Sequence, residues 1–278
     1  MMKKTWFITG ASRGIGAEIV KKSLEAGDNV VATAREASKL ISQFGNLPNL
    51  LSLTLDVTIA AQIDVAVDAA IKKFGHIDVL VNNAGYGHLG VFEESTPEEV
   101  RAEFNTNVFG LMDVTRSIIP LMREQRRGHI LNISSIAGLR GNFGGALYNS
   151  SKFAVEGFSQ SIAEELAPFG IYVTAVSPGF FRTDFLDQRS VKHLNRSIND
   201  YDQVMNDYQA FINNRSHQQL GDPKKLADVI RKLVDVKNPP VSFVAGSDAV
   251  EWLENTVAQK EAELKDWKTL SLTTDGDW

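Results

Sequence analysis

Residues 6–20 read WFITGASRGIGAEIV. The first four, WFIT, have the apolar character of a buried strand. Gly10, Gly14 and Gly16 follow, and a helical pattern of apolar residues begins near Ile15. Glycine tolerates tight turns and lets a ligand approach the backbone closely. A helix that starts immediately afterwards aims its free N–H groups and positive dipole end at the same place. A strand, glycine turn and helix start in this order suit a pyrophosphate. The spacing is T-G-x-x-x-G-x-G rather than G-x-G-x-x-G, and an isolated glycine triplet would carry little weight. Its weight comes from the rest of the chain.

Outward from this stretch, short apolar runs alternate with longer helical patterns. Strands are expected at 6–9, 29–34, 50–56, 78–83, 129–134, 171–177 and 241–246. Helices are expected near 15–26, 59–74, 97–126, 147–167, 223–236 and 248–267. Several of the runs are apolar on both faces, as parallel strands covered by helices on each side must be. The alternation predicts an α/β fold, a Rossmann-like doubly wound parallel sheet, formed as a single domain over residues 1–278. Helix starts are marked in STPEE, where Thr96 caps, Pro97 follows and Glu99 closes a capping box, and in GDPKK, where Asp222 and Pro223 act similarly. Pro120 is expected to kink or end the long helix that begins at 97. The segment 185–220, rich in Asn, Asp and Gln but carrying Phe185, Tyr201, Met205, Tyr208 and Phe211, interrupts the rhythm and reads as a helical substrate lid or, alternatively, a surface decoration. A C-terminal helix and tail occupy 248–278.

The end of the second strand discriminates riboses in such folds, because an acid there favours a free 2′-hydroxyl. This one ends ATAREAS, with Arg35 after Ala34, and Arg13 lies in the glycine loop. Two guanidiniums can grip a 2′-phosphate through paired charged hydrogen bonds, which favours NADP(H) over NAD(H). Both could instead be ordinary surface arginines, and Glu36 complicates the reading if it points inward. Asp56, ending the third strand, can reach an adenine edge or cap the next helix. Gly85, in VNNAG, permits close approach of the cofactor.

Composition bounds the alternatives. With 43% hydrophobic residues in 278, the chain can build a sizeable core. A net charge of -5 argues against nucleic-acid or anionic-membrane partners, which need a basic patch. Zero cysteines exclude thiol chemistry and cysteine-ligated metals, so no metal is expected. The first ten residues lack the apolar run of roughly 7–15 that a leader needs. A cytoplasmic protein is therefore expected.

Taken together, TGASRGIG (9–16), DV (56–57), NNAG (82–85), FNTNVFG (104–110), ILNISSIAG (130–138), YNSSK (148–152) and PGFFRT (178–183) resemble, in order, the motifs of the short-chain dehydrogenase/reductase family, of the ~250-residue core type with a C-terminal extension. The resemblance implies a catalytic set of Asn107, Ser135, Tyr148 and Lys152. Tyr148 is general acid in reduction and base in oxidation. Lys152 holds the nicotinamide ribose and lowers the Tyr148 pKa, Ser135 orients the substrate oxygen, and Asn107 anchors a proton relay. Cofactor contacts are implied for Gly10, Ser12, Arg13, Gly14, Ile15, Gly16, Arg35, Asp56, Val57, Asn83, Ala84, Gly85, Tyr148, Lys152, Pro178, Gly179, Phe181 and Thr183. The phenol chemistry is reasonable on its own terms. A free phenol titrates near 10, and a neighbouring ammonium four residues away on the same helix face would favour the phenolate.

The resemblance implies an NADP(H)-dependent interconversion of a small-molecule ketone or aldehyde with an alcohol, with a non-catalytic cofactor sensor on the same fold as the alternative. Besides Ser135 and Tyr148, the expected substrate wall is Ala137, Leu139, Phe143, Phe180 and Phe185. These are mostly apolar and point to an apolar or bulky carbonyl, with Arg140 the one cation nearby. Assembly as a homo-oligomer, dimer or tetramer, is expected through the helices at 97–126 and 147–167, the second of which carries apolar residues on more than one side.

Overall fold

In the computed structural model, which describes residues 3–183, 185, 191–194, 197–215 and 218–276, the strands are β1 (Thr5–Ile8), β2 (Asn29–Ala34), β3 (Leu50–Thr54), β4 (Val79–Asn82), β5 (Gly87–Leu89), β6 (Gly128–Ile133), β7 (Ile171–Pro178), β8 (Val191–His193) and β9 (Ser242–Ala245). The α-helices are α1 (Gly14–Glu25), α2 (Ala37–Phe44), α3 (Ala60–Phe74), α4 (Pro97–Phe104), α5 (Leu111–Gln125), α6 (Ala146–Leu166), α7 (Asp202–Arg215), α8 (Pro223–Asp235) and α9 (Ser247–Leu272). Seven strands form one parallel sheet in the order β3-β2-β1-β4-β6-β7-β9, and β5 pairs with β8 in a separate parallel ribbon. The chain reverses its direction of winding between β1 and β4, and ligands of such sheets bind at the carboxyl ends of the strands at that point.

Strand alternation builds the two halves of the core. Trp6 and Ile8 of β1, Val30 and Ala32 of β2 and Val79 and Val81 of β4 face one side, where Ile19 and Val20 of α1, Leu40 of α2 and Ile230 of α8 cover them. Phe7, Val31 and Leu80 face the other side, beneath Ile63 of α3, Ile118 and Met122 of α5 and Ile162 of α6. This double coverage is why the runs read as continuous apolar stretches rather than alternating ones.

The capping box at Thr96 is present: its hydroxyl accepts from Glu99 N at 3.1 Å and Glu99 Oε2 accepts from Thr96 N at 2.9 Å. The expected single helix over 97–126 is instead two, joined by a π-helical segment at Asn105–Gly110. The break lies there and not at Pro120, which sits inside α5 while the helix continues to Gln125. Single π turns inside helices recur at functional sites, and this one carries Asn107. Asp222 caps α8 as expected, accepting from Lys224 N at 2.8 Å. The expected lid 185–220 falls partly outside the described residues. Within them it holds β8 and α7, so a strand as well as a helix.

Candidate active site

The carboxyl end of β1 is locked to that of β4 by one hydroxyl. Thr9 Oγ1 accepts from Asn83 N at 2.9 Å and Ala84 N at 3.0 Å. Asn83 Nδ2 returns the contact, donating to Thr9 O and Gly10 O, each at 3.0 Å. This closeness fixes the glycines. A Cβ at Gly10 would stand 2.8 Å from Ala84 Cα, and its φ of +63° is left-handed; a Cβ at Gly16 would stand 2.7 Å from Gly10 O. Gly16 therefore serves packing beneath the loop and does not face the cleft.

A cleft of about 1350 Å³ opens from this junction. Ligand pockets usually span roughly 300–1,000 Å³, so there is room for a dinucleotide and a second molecule. Its wall contains Gly10, Ser12, Arg13, Gly14 and Ile15 from the glycine loop, then Arg35, Asp56, Val57, Asn83, Ala84 and Gly85. Pro178, Gly179, Phe181 and Thr183 follow from the end of β7. Glu36 lines the cleft as well, so an acid does stand beside Arg35; it precedes α2 and accepts from Lys39 Nζ at 2.6 Å, which offsets its charge. Lys39 itself lines the cleft, a cation the sequence reading did not single out. Asp56 lines it too, although its Oδ1 is engaged with Thr58 N at 3.0 Å and Thr58 Oγ1 at 2.7 Å. The turn after β7 is held by Asp248 at the start of α9, whose Oδ2 accepts from Phe180 N at 2.7 Å.

At the other end of the cleft, Ser135, Tyr148 and Lys152 converge. Ser135 and Ser134 are placed differently: Ser134 is buried and its hydroxyl has no partner among the described residues, while Ser135 Oγ accepts from Ala137 N at 3.1 Å and lines the cleft beside the Tyr148 phenol. Lys152 Nζ donates to Ile133 O at 2.8 Å and sits 5.6 Å from the centre of the Tyr148 ring. Asn107 lies one layer behind the cleft wall. Its Nδ2 donates to Tyr86 O at 2.8 Å and Ser151 Oγ at 3.0 Å, and its Oδ1 accepts from Tyr86 N at 3.1 Å. The Ser151 hydroxyl donates to Tyr148 O at 2.8 Å, so Asn107 supports the turn of α6 that carries the phenol.

The expected lowering of the phenol is not what the chain alone produces. Burial raises the Tyr148 pKa above its ordinary 10, only partly opposed by the Ser135 hydrogen bond, and Glu103 raises it further. Lys152 is itself pulled down to about 8, by burial first, against the pull of Glu103 and Glu156. Desolvation is the leading cause for both groups, and it disfavours the charged form of each. The phenol is thus held protonated at neutral pH, the state a proton donor needs.

Glu103 went unnoticed in the sequence, where it reads as one more acid in PEEVRAEF. It is fully buried, four residues before Asn107 on the same helical run, with Oε1 3.3 Å from Asn107 Nδ2. Its Oε2 accepts from His88 N at 3.2 Å and lies 3.1 Å from His88 Nδ1. Burial pushes its carboxyl up to about 8, opposed by the His88 backbone N–H and by Lys152. The folded state therefore keeps a proton between the ordinary 4.5 and about 8 that the unfolded state has lost. Wild-type stability should fall as pH rises through that window. Glu103→Gln cannot ionise, so its stability relative to wild type should increase from pH 5 to pH 9. Chemical denaturation of both proteins at the two pH values checks this, and a constant difference would contradict it.

Of the expected substrate wall, Ala137, Phe143, Phe180 and Phe185 line the cleft and Leu139 does not. Leu139 follows the one-turn helix at Ile136–Gly138, and it is Ile136 and Ala137 that face inward. Phe185 packs on Tyr148 with ring centres 5.4 Å apart. Tyr208 and Phe211 of α7 line the cleft, and Tyr208 meets Phe143 edge-on at 5.8 Å. Tyr201 does not join them, because its hydroxyl donates to Glu93 Oε2 at 2.8 Å. Arg140 is exposed and stacks over Trp252 of α9 at 5.8 Å. A second cation, Lys192 of β8, lines the cleft with its Nζ 5.0 Å from the centre of the Tyr86 ring. Among the described residues no group of three or more His, Cys, Asp or Glu could hold a metal ion, and no helix is long and apolar enough to cross a membrane.

Comparison with known proteins places this geometry among relatives. The chain is 37% identical over 267 residues to the 3-ketodihydrosphingosine reductase of Bacteroides thetaiotaomicron, covering 93% of this chain and 96% of that one. A short-chain dehydrogenase from Streptomyces avermitilis superimposes with a TM-score of 0.90 at 36% identity, over 99% of this chain and 100% of its own. Two further solved structures hold nucleotides. The 3-ketoacyl-(acyl-carrier-protein) reductase of Brucella melitensis, with NADH, has 29% identity, a TM-score of 0.75 and coverage of 88% and 98%. ElxO, with NADP, has 30% identity, a TM-score of 0.72 and coverage of 87% and 96%. Residues 4–193 match the short chain dehydrogenase family model. On this match, and on a likeness that spans nearly its whole length, the chain belongs to the short-chain dehydrogenase/reductase family of oxidoreductases.

Proposed function

We propose that this chain is an NADP(H)-dependent oxidoreductase that interconverts a bulky, apolar ketone or aldehyde and its alcohol, with Tyr148 as the proton donor and acceptor. The observation that carries the reading is the convergence of Ser135, Tyr148 and Lys152 at one end of a cleft whose other end is the glycine loop. The residues present fit a dinucleotide. Gly10 and Gly14 line the cleft without side chains, and Arg13 and Arg35 supply cations where a 2′-phosphate would lie. The cofactor, when bound, supplies or accepts the hydride. The chain's own residues orient the carbonyl oxygen through Ser135 and Tyr148 and move one proton at the Tyr148 hydroxyl. Lys152 serves the cofactor ribose as a hydrogen-bond donor. The NADP of ElxO and the keto substrate named for the Bacteroides relative are both compatible with this assignment. We further propose a cytoplasmic homo-oligomer. The exposed Phe109 and Phe153, on the 105–110 segment and α6, support self-association through that face.

Substrate size tests the reading. Tyr208 and Phe211 stand over the catalytic end on α7, so Tyr208→Ala and Phe211→Ala should raise KM for bulky apolar ketones several-fold and leave KM for small ones nearly unchanged. NADPH consumption across a panel of ketones of increasing size measures this. Equal effects on every substrate would assign these aromatics to folding instead. Tight NADPH binding with no turnover of any carbonyl would favour the sensor reading.

A further inference from the structure

The C-terminal helix outgrows the fold that it caps. α9 runs from Ser247 to Leu272, but only its first part meets the rest of the chain: Ala249 and Thr256 are buried and Trp252 reaches the cleft. Every residue from 257 to 272 is exposed. That is about 24 Å of helix at ~1.5 Å per residue, with no described segment against it. An unsupported helix of this length is marginal in water, and this one is not uniformly polar. Val257, Leu264 and Trp267 are 46%, 63% and 63% exposed. At about 100° per residue they fall, with the half-buried Leu253, within a stripe roughly 80° wide. The next flank, about 60° wide by the same count, carries Glu254, Glu261, Lys265 and Lys268, with the acids first and the bases last.

We propose that this stripe is an interface at which α9 pairs antiparallel with α9 of a second copy of the chain. The order of the charges selects the occupant. About a two-fold axis near residue 261, Glu254 meets Lys268 of the second copy and the reverse contact forms by symmetry, as an isologous interface requires, so two opposite-charge pairs flank the one like-charge contact, Glu261 with its own copy at the axis. The same axis sets Val257 against Leu264 and Leu253 against Trp267 of the second copy. Lys260, the one charged residue inside the stripe, then lies beside Glu261 of the second copy, where a polar group at the seam fixes register at some cost in stability. A parallel pair would set like charges against like. This stripe lies on a different element from Phe109 and Phe153 and does not depend on the catalytic assignment.

Sedimentation equilibrium of the full chain tests it. The wild type should sediment as a multiple of the 30.6 kDa monomer. Leu264→Glu and Trp267→Glu should each halve that mass at the same concentration, raising the dissociation constant at least on the order of 100-fold because each change is made twice per interface. Both residues are 63% exposed, so the variants should keep their thermal midpoint. Glu254→Lys should also dissociate the pair, and Glu254→Lys combined with Lys268→Glu should restore it. A monomeric wild type would overturn the proposal. So would an oligomer unchanged by Leu264→Glu and Trp267→Glu, or a double charge reversal that fails to restore the mass, either of which would leave the stripe to a different partner such as another protein or a lipid surface.

Discussion

Arg35→Asp should reverse the cofactor preference. In the wild type, kcat/KM with NADPH should exceed that with NADH, because Arg35 follows the last residue of β2 and lines the cleft with Arg13. A charge-assisted hydrogen bond contributes roughly 1.5–3 kcal/mol, and each ~1.4 kcal/mol is a factor of ten. Removing Arg35 costs that interaction, and a carboxylate in its place adds repulsion of a 2′-phosphate while offering an acceptor to a free 2′-hydroxyl. The ratio of the two kcat/KM values should move toward NADH on the order of 10²–10³-fold. The Lys39–Glu36 pair beside it limits the change: Lys39 remains as a cation, and its neighbour keeps it partly neutralised. Arg13→Ala should move the ratio in the same direction and by less, since it adds no negative charge. Steady-state kinetics with both cofactors decide the matter. A wild type that prefers NADH would mean that the arginines face a different part of the ligand.

Much of this site was legible before any coordinates. β1, β2, β4, β6 and β7 are largely buried on both faces, so their sequences are mostly apolar runs, and the glycine loop and YNSSK stand at fixed places relative to them. What was missed has a common physical origin. β5 and β8 have three residues each, too few to show a period, and they pair across a hundred residues of chain. α2 has only eight, and its AREASKL start was read for ribose recognition rather than for helix. Asn105–Gly110 contains no proline and only Gly110 as a weak breaker, so the π turn that separates α4 from α5 had little local signal, whereas Pro120 gave a strong one that packing overrode. Glu103 and Asp248 act through partners distant in sequence, His88 and Phe180, and nothing in their immediate neighbours distinguishes them from solvated acids. Burial of the phenol was hidden for a related reason: spacing reveals that an ammonium is near Tyr148, but not that desolvation in the chain alone raises the phenol pKa.

The central claim is that the Tyr148 hydroxyl transfers the proton, and Tyr148→Phe tests it most directly. The substitution leaves the ring that packs against Phe185 and Gly87 and the backbone carbonyl that accepts from Ser151. It removes only the hydroxyl and the proton that burial holds on it. General acid catalysis is worth about 10²–10⁴ in rate, and reduction should fall by that order. NADPH affinity should change little, since Lys152, the glycine loop and the two arginines are untouched. The measurement is kcat with saturating NADPH together with the NADPH dissociation constant, in one folded preparation of Tyr148→Phe beside the wild type. The expected result is a kcat lowered by on the order of 100-fold or more with the dissociation constant within about a factor of three, a difference of only ~0.6 kcal/mol. A variant that keeps more than roughly a tenth of the wild-type kcat, well short of the rate factor a general acid supplies, would contradict the account and leave Tyr148 and Lys152 as neighbours on a helix face.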